Sequence, residues 1–319
     1  MRLSFFSCSR TFYTYLKFTL YTIDLGDYLL YNTWVSYSLI IIVLSYAIFS
    51  HKETQMTLSK GIFAALVAFT LIFSGCGGAT ATPSTIAKVQ EKGELILGTS
   101  GNMTPMTRQL DNGDVVGLDI DLANVMAAAL KVKLTIKVMP LDQLAIAVEN
   151  GTVDVVLSNY TMTPERNAKV AFVGPYLTSG KCLITKLPDL ANAKKDELAE
   201  KQNNLVVIEG STSEAFAKAL MKKANIIPSK SQETAVEMVR NGKADAMLTD
   251  FPICQATVVN NPDDQFVSIF SRLTYEPIGI AVNANDAHFI NWTQNFLDRM
   301  EKTGYLSVLG QKWLSIPAQ

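Results

Sequence analysis

From residue 86 onward, apolar positions alternate between two periods. Residues 94–98 (ELILG) and 133–138 (KLTIKV) have the short apolar or alternating character of strands. Over 118–130 the pattern is helical, placing Leu118, Leu122, Val125, Met126 and Ala129 on one face. Residues 141–149 read as a helix stopped by Asn150-Gly151, because glycine takes the left-handed cap position without steric cost. Helices alternating with short strands predict an α/β protein with mostly parallel sheets.

One pattern occurs twice. Residues 149–161 (ENGTVDVVLSNYT) and 240–252 (RNGKADAMLTDFP) each run from a helix end through Asn-Gly to a short strand opened by an aspartate and closed by a polar turn. ELILGTSGN and LVVIEGSTS form a looser second pair. The matched spacing predicts two lobes built on one plan. Asp154 and Asp245, which open the repeated strands, read as structural.

Composition changes the picture at the N-terminus. Seven of the eleven tyrosines fall within residues 1–55, together with an apolar run over 33–50. That run is at the short end of what spans a bilayer. A second signal opens at Met56: Lys60, then an apolar core over 61–73, then Ser74-Gly75-Cys76, the layout of a cleavable export signal. Residues 1–55 are therefore either a membrane segment or an over-long start, and the reading adopted is that Met56 initiates. Residues 77–85 are a small-residue tether. Formal net charge is −1, which argues against a nucleic-acid track and for a small-molecule ligand. Cys182 and Cys254 either pair, as an oxidising compartment would allow, or are small buried apolar side chains. With no C-x-x-C pair and only His51 and His288, neither a metal site nor a nucleophile triad is indicated.

Thr163-Pro164-Glu165-Arg166 has the order of a helix start: N-cap, Pro at the first position, an acid in the first turn. A fixed guanidinium there suits a carboxylate, the plainer alternative being a surface pair with Glu165 or Asp154. Ser211-x-x-Glu214 reads as a capping box. Asp250 closes an apolar strand, and open α/β sheets bind ligands at the C-terminal ends of their strands.

Residues 117–130 (GLDIDLANVMAAAL) and 158–180 (SNYTMTPERNAKVAFVGPYLTSG) resemble family 3 of the bacterial extracellular solute-binding proteins, as do KADAMLTD and the closing GYLSVLGQKW. The resemblance spans about residues 86–319. It implies two Rossmann-like lobes, 86–179 plus 278–319 and 180–277, joined by a two-crossover hinge. It also implies capture of an amino acid or small carboxylate by lobe closure and delivery to the membrane subunits of an ABC importer. Arg166, Ser211 and Thr212 would hold the ligand carboxylate. Asp250 would take its amino group, with Thr161 and Ser158 completing that shell. Ser100, Met103 and Leu141, with Met106 close by, stand where relatives carry an acid and rings, so the side-chain pocket is expected to be apolar and ringless. Cys76 would be acylated, anchoring an otherwise monomeric chain in the periplasm or on the outer membrane face. No cofactor, metal or catalytic role is expected. The alternative on the same fold is an exported cyclohexadienyl dehydratase, with Glu214 or Glu209 as the acid.

Overall fold

The computed structural model describes residues 83–193, 195–269 and 274–314. The 33–50 run, Met56, the export signal, Cys76 and residues 77–82 of the tether lie outside the described residues. Among the described residues no helix is long and apolar enough to cross a membrane.

The chain enters through α1 (Thr85–Lys92), whose N-cap Ser84 accepts the amide of Ala87, and turns at Gly93 into β1 (Glu94–Thr99). A small antiparallel sheet follows, of β2 (Asn102–Met103), β3 (Thr107–Gln109) and β4 (Val115–Val116). It leads through Gly117 into α2 (Leu118–Leu130). Only glycine fits at 117: φ is +142° and a Cβ would lie 2.1 Å from the Met106 carbonyl oxygen. Next come β5 (Lys133–Val138), a 3-10 turn over Leu141–Gln143, α3 (Leu144–Glu149), β6 (Val155–Val156), the single turn α4 (Pro164–Asn167) and β7 (Val170–Ser179).

After Gly180 the chain builds β8 (Lys181–Thr185), α5 (Pro188–Ala191), α6 (Lys195–Glu200), β9 (Asn204–Ile208), α7 (Thr212–Leu220) and β10 (Asn225–Ser229). Then follow α8 (Gln232–Arg240), β11 (Ala246–Asp250), α9 (Phe251–Asn260) and β12 (Val267–Ile269). It returns as β13 (Glu276–Asn283), α10 (Ala287–Lys302) and α11 (Tyr305–Leu314).

The two large sheets have orders β5-β1-β6-β13-β7 and β10-β9-β11-β8-β12. In each, three strands run parallel and the fourth is reversed. The sheets are thus less parallel than the alternation alone predicts, because β13 and β8 enter antiparallel just after the chain crosses between lobes. The repeated sequence pattern has a physical counterpart. The Asp154 carboxylate accepts the amide of Ile96 at 2.8 Å, and the Asp245 carboxylate accepts the amide of Asn204 at 2.6 Å. Each aspartate therefore ties the opening of its strand to the parallel strand beside it.

Lobe 1 packs around Leu95, Leu97, Leu122, Met126 and Phe289, and lobe 2 has a core around Leu183, Leu205, Val207 and Leu248. A third cluster holds Met103, Leu141 and Tyr160 of lobe 1 together with Cys182, Val206 and Ile208 of lobe 2. On α2 the buried face differs from expectation at its ends: Ala129 is exposed, while Asp119 and Ile120 are buried. The Asp119 carboxyl is met there by the hydroxyl of Tyr176 and the amide of Asn159, each at 2.6 Å. Cys182 and Cys254 form a disulfide inside lobe 2, which overturns the reading of two free apolar side chains.

Candidate functional site

The polar turns that close β6 and β11, the start of α7 and both crossings between lobes converge on one cleft. Arg166 comes from α4. As the sequence predicts, Thr163 caps that turn, its hydroxyl accepting the Arg166 amide at 3.2 Å. The guanidinium lies 4.0 Å over the ring of Tyr160. It donates to the Thr161 carbonyl at 3.0 Å and, across the cleft, to the Gly210 carbonyl at 3.3 Å. Burial pushes its pKa down, while Tyr160, Asp250 and Glu276 pull it back up. Two carbonyl bonds use two of a guanidinium's five donors and leave others for a carboxylate.

Asp250 sits at the end of β11 and is 7% exposed. One of its oxygens takes the Lys181 ammonium at 2.6 Å, and the other accepts the Asn159 side-chain amide at 2.6 Å. Lys181 is the first residue of β8 and has no exposed surface. Its ammonium also donates to the Thr212 hydroxyl at 2.6 Å and lies 3.4 Å from Glu276. The Thr212 hydroxyl in turn donates to Glu276 at 3.3 Å and lies 3.4 Å from the Thr161 hydroxyl of the other lobe. Glu276 completes its shell with the Thr274 hydroxyl at 2.9 Å.

The profile describing bacterial extracellular solute-binding proteins, family 3, matches residues 95–316. The chain belongs to this family of bacterial extracellular solute-binding proteins. It is 27% identical to a "probable histidine-binding protein" of Neisseria gonorrhoeae, over 82% of this chain and 97% of that one. It is 26% identical to cyclohexadienyl dehydratase of Pseudomonas aeruginosa, over 73% and 87% of the two chains. Among solved structures, an ancestral amino acid-binding protein described as a precursor of cyclohexadienyl dehydratase is 32% identical, with a TM-score of 0.66. That match covers 73% of this chain and all of the other. The fold is that of type II periplasmic binding proteins.

Within this family member the expected site residues divide into four groups. Arg166, Asp250, Thr161 and Thr212 come together in the cleft by the contacts above. Ser158 and Ser100 are buried beside it and satisfy each other: the Ser158 hydroxyl accepts the Ser100 amide at 2.9 Å and donates to its hydroxyl at 2.8 Å. Ser211 is spent on capping α7, its hydroxyl accepting the Glu214 amide at 3.1 Å. Met103 and Leu141 pack with Tyr160 in the cluster that bridges the lobes, while Met106 is fully buried in the lobe 1 core. Tyr160, which is not among the expected lining residues, packs in the same cluster and stacks its ring under Arg166.

Glu214 is committed elsewhere. It accepts the Gly210 amide at 2.8 Å and pairs with Lys218 at 2.6 Å. Burial pushes its pKa up, but the bonds from Lys218 and Gly210 outweigh this and hold it below the usual carboxylate value. Glu209 is exposed. Lys181, Glu276 and Asn159 are cleft residues that sequence reasoning passed over. Lys181 lies just past the first lobe boundary and Glu276 just before the second. One signal was available: Lys181 leads the run KCLIT, in which all five residues are buried.

Proposed function

We propose that this protein captures an amino acid or an amino-acid-like small carboxylate between its two lobes and delivers it to an ABC importer. The observation that carries this reading is Arg166. Its guanidinium is stacked on Tyr160, anchored to one lobe through Thr161 and bonded to the other through Gly210, with donors to spare. A carboxylate bound there draws contacts from both lobes, and such contacts favour the closed arrangement. The relatives named as histidine-binding and amino acid-binding support the same ligand class. Anchoring through an acylated Cys76 and a monomeric state belong to this reading. Arg166→Ala is expected to weaken binding by more than tenfold, from loss of a charge-assisted pair worth about 1.5–3 kcal/mol. Unchanged affinity by calorimetry would sink the assignment.

A second reading is kept because one relative is a cyclohexadienyl dehydratase. An acid catalyst must hold its proton near neutral pH, and the bonds that hold Glu214 below the usual range favour its role as a cap. Turnover of prephenate by the purified protein would replace the binding reading.

A further inference from the structure

Lys181 is a buried cation in the place where the amino group of an amino-acid ligand would be drawn. Its ammonium is fully enclosed, donates to Asp250 at 2.6 Å and to the Thr212 hydroxyl at 2.6 Å, and forms an ion pair with Glu276 at 3.4 Å. Both acids of this end of the cleft, Asp250 at 7% and Glu276 at 8% exposure, therefore already share an internal countercharge. Arg166 and Lys181 against Asp250 and Glu276 bring the formal charge of these four groups to zero. One acceptor remains. Asn159 is 4% exposed, its amide nitrogen is bonded to Asp250, and its side-chain oxygen has no partner among the described residues. A buried acceptor without a donor is costly, and a ligand N–H would satisfy it.

We infer that Lys181 is a specificity-determining residue: by neutralising Asp250 and Glu276 from within, it makes the cleft select neutral zwitterions and reject amino acids with cationic side chains. The inference rests on the amino-acid-binding reading. A neutral zwitterion adds one carboxylate against Arg166 and one donor toward Asn159 and Asp250, leaving the balance at zero. A lysine or arginine ligand adds a further positive charge to a buried site whose acids are already paired, and an uncompensated buried charge is strongly unfavourable.

The test is a melting-temperature panel of the twenty common amino acids on the wild-type protein and on Lys181→Met, followed by calorimetry on the best neutral ligand and on L-lysine and L-arginine. Wild type is expected to prefer the neutral ligand at least tenfold, and Lys181→Met to move that ratio at least tenfold toward the cationic pair. Wild type binding lysine or arginine best, or a ratio that Lys181→Met leaves unmoved, overturns the inference and spares the amino-acid reading. A panel in which no amino acid shifts either protein overturns both. Should Lys181→Met fail to fold, Lys181→Gln carries the same comparison, and the wild-type ranking alone can refute the claim.

Discussion

Gly210 links the closing of the lobes to one backbone position. It lies between β9 and α7 with φ +72°, and its carbonyl accepts Arg166 from the opposite lobe. Gly210→Ala imposes two separate costs. The left-handed backbone costs an L-residue about 1–2 kcal/mol in every arrangement of the lobes. The new Cβ would also lie 3.0 Å from the Cβ of Asp142 and 3.2 Å from its amide nitrogen, a contact made only where the lobes meet. Carbon pairs settle at about 3.5–4.0 Å, so the lobes must part by a few tenths of an ångström. Overpacking of this kind costs about 1–3 kcal/mol, which converts to roughly 5- to 150-fold weaker binding. Gly242→Ala is the control. Its φ is +70° and nothing lies within 4 Å of the added Cβ, so it carries the backbone cost alone. Both variants should melt lower, and only Gly210→Ala should lose affinity by calorimetry. Equal affinities in the two variants would refute the argument that the cleft closes at this contact.

Two further predictions concern stability. Burial pushes the Asp119 carboxyl up to about 7, against the pull of the Tyr176 hydroxyl and the Asn159 amide. Below pH 3.8 both folded and unfolded chains hold this proton; between 3.8 and about 7 only the folded chain keeps it, so stability falls by about 4 kcal/mol across that window. Asp119→Asn cannot titrate, and its melting temperature should therefore gain on wild type as pH rises from 4 to 8; parallel curves would contradict the assignment. The Cys182–Cys254 bond closes a loop of 72 residues, which in the chain-entropy picture is worth about 4 kcal/mol. Reduction, or Cys182→Ser with Cys254→Ser, should lower the melting point accordingly, and melting that is indifferent to reductant would show that the bond does not contribute.

The elements that could be read from the chain are those whose boundaries are written locally. Gly117, the apolar spacing behind it and the alternation of KLTIKV reproduce α2 and β5 residue for residue. The strands over 102–116 went unread because two or three residues carry no period. The Arg166 side of the cleft was legible because Thr163-Pro164-Glu165-Arg166 is a local helix start. The Lys181 side was not. Lys181 and Glu276 are charged residues at crossings, and nothing near them in sequence says that they meet; their pairing exists only because β8 and β13 approach after long connections. Tyr160 was missed for a related reason, since stacking under Arg166 depends on how the chain turns after β6.

The disulfide has a consequence beyond its loop length. Cys182 directly follows Lys181, and Cys254 stands one helical turn beyond Asp250. The covalent link therefore fixes the spacing of the ammonium and its carboxylate within a single lobe, independently of whether the other lobe is near. On the proposed function, that lobe's half of the site would be in place before a ligand arrives, and closure would bring Arg166, Asn159 and Thr161 to it. Lys181 and Asp250 are also direct partners in the antiparallel β8–β11 register, so the covalent link reinforces a spacing that the sheet itself sets.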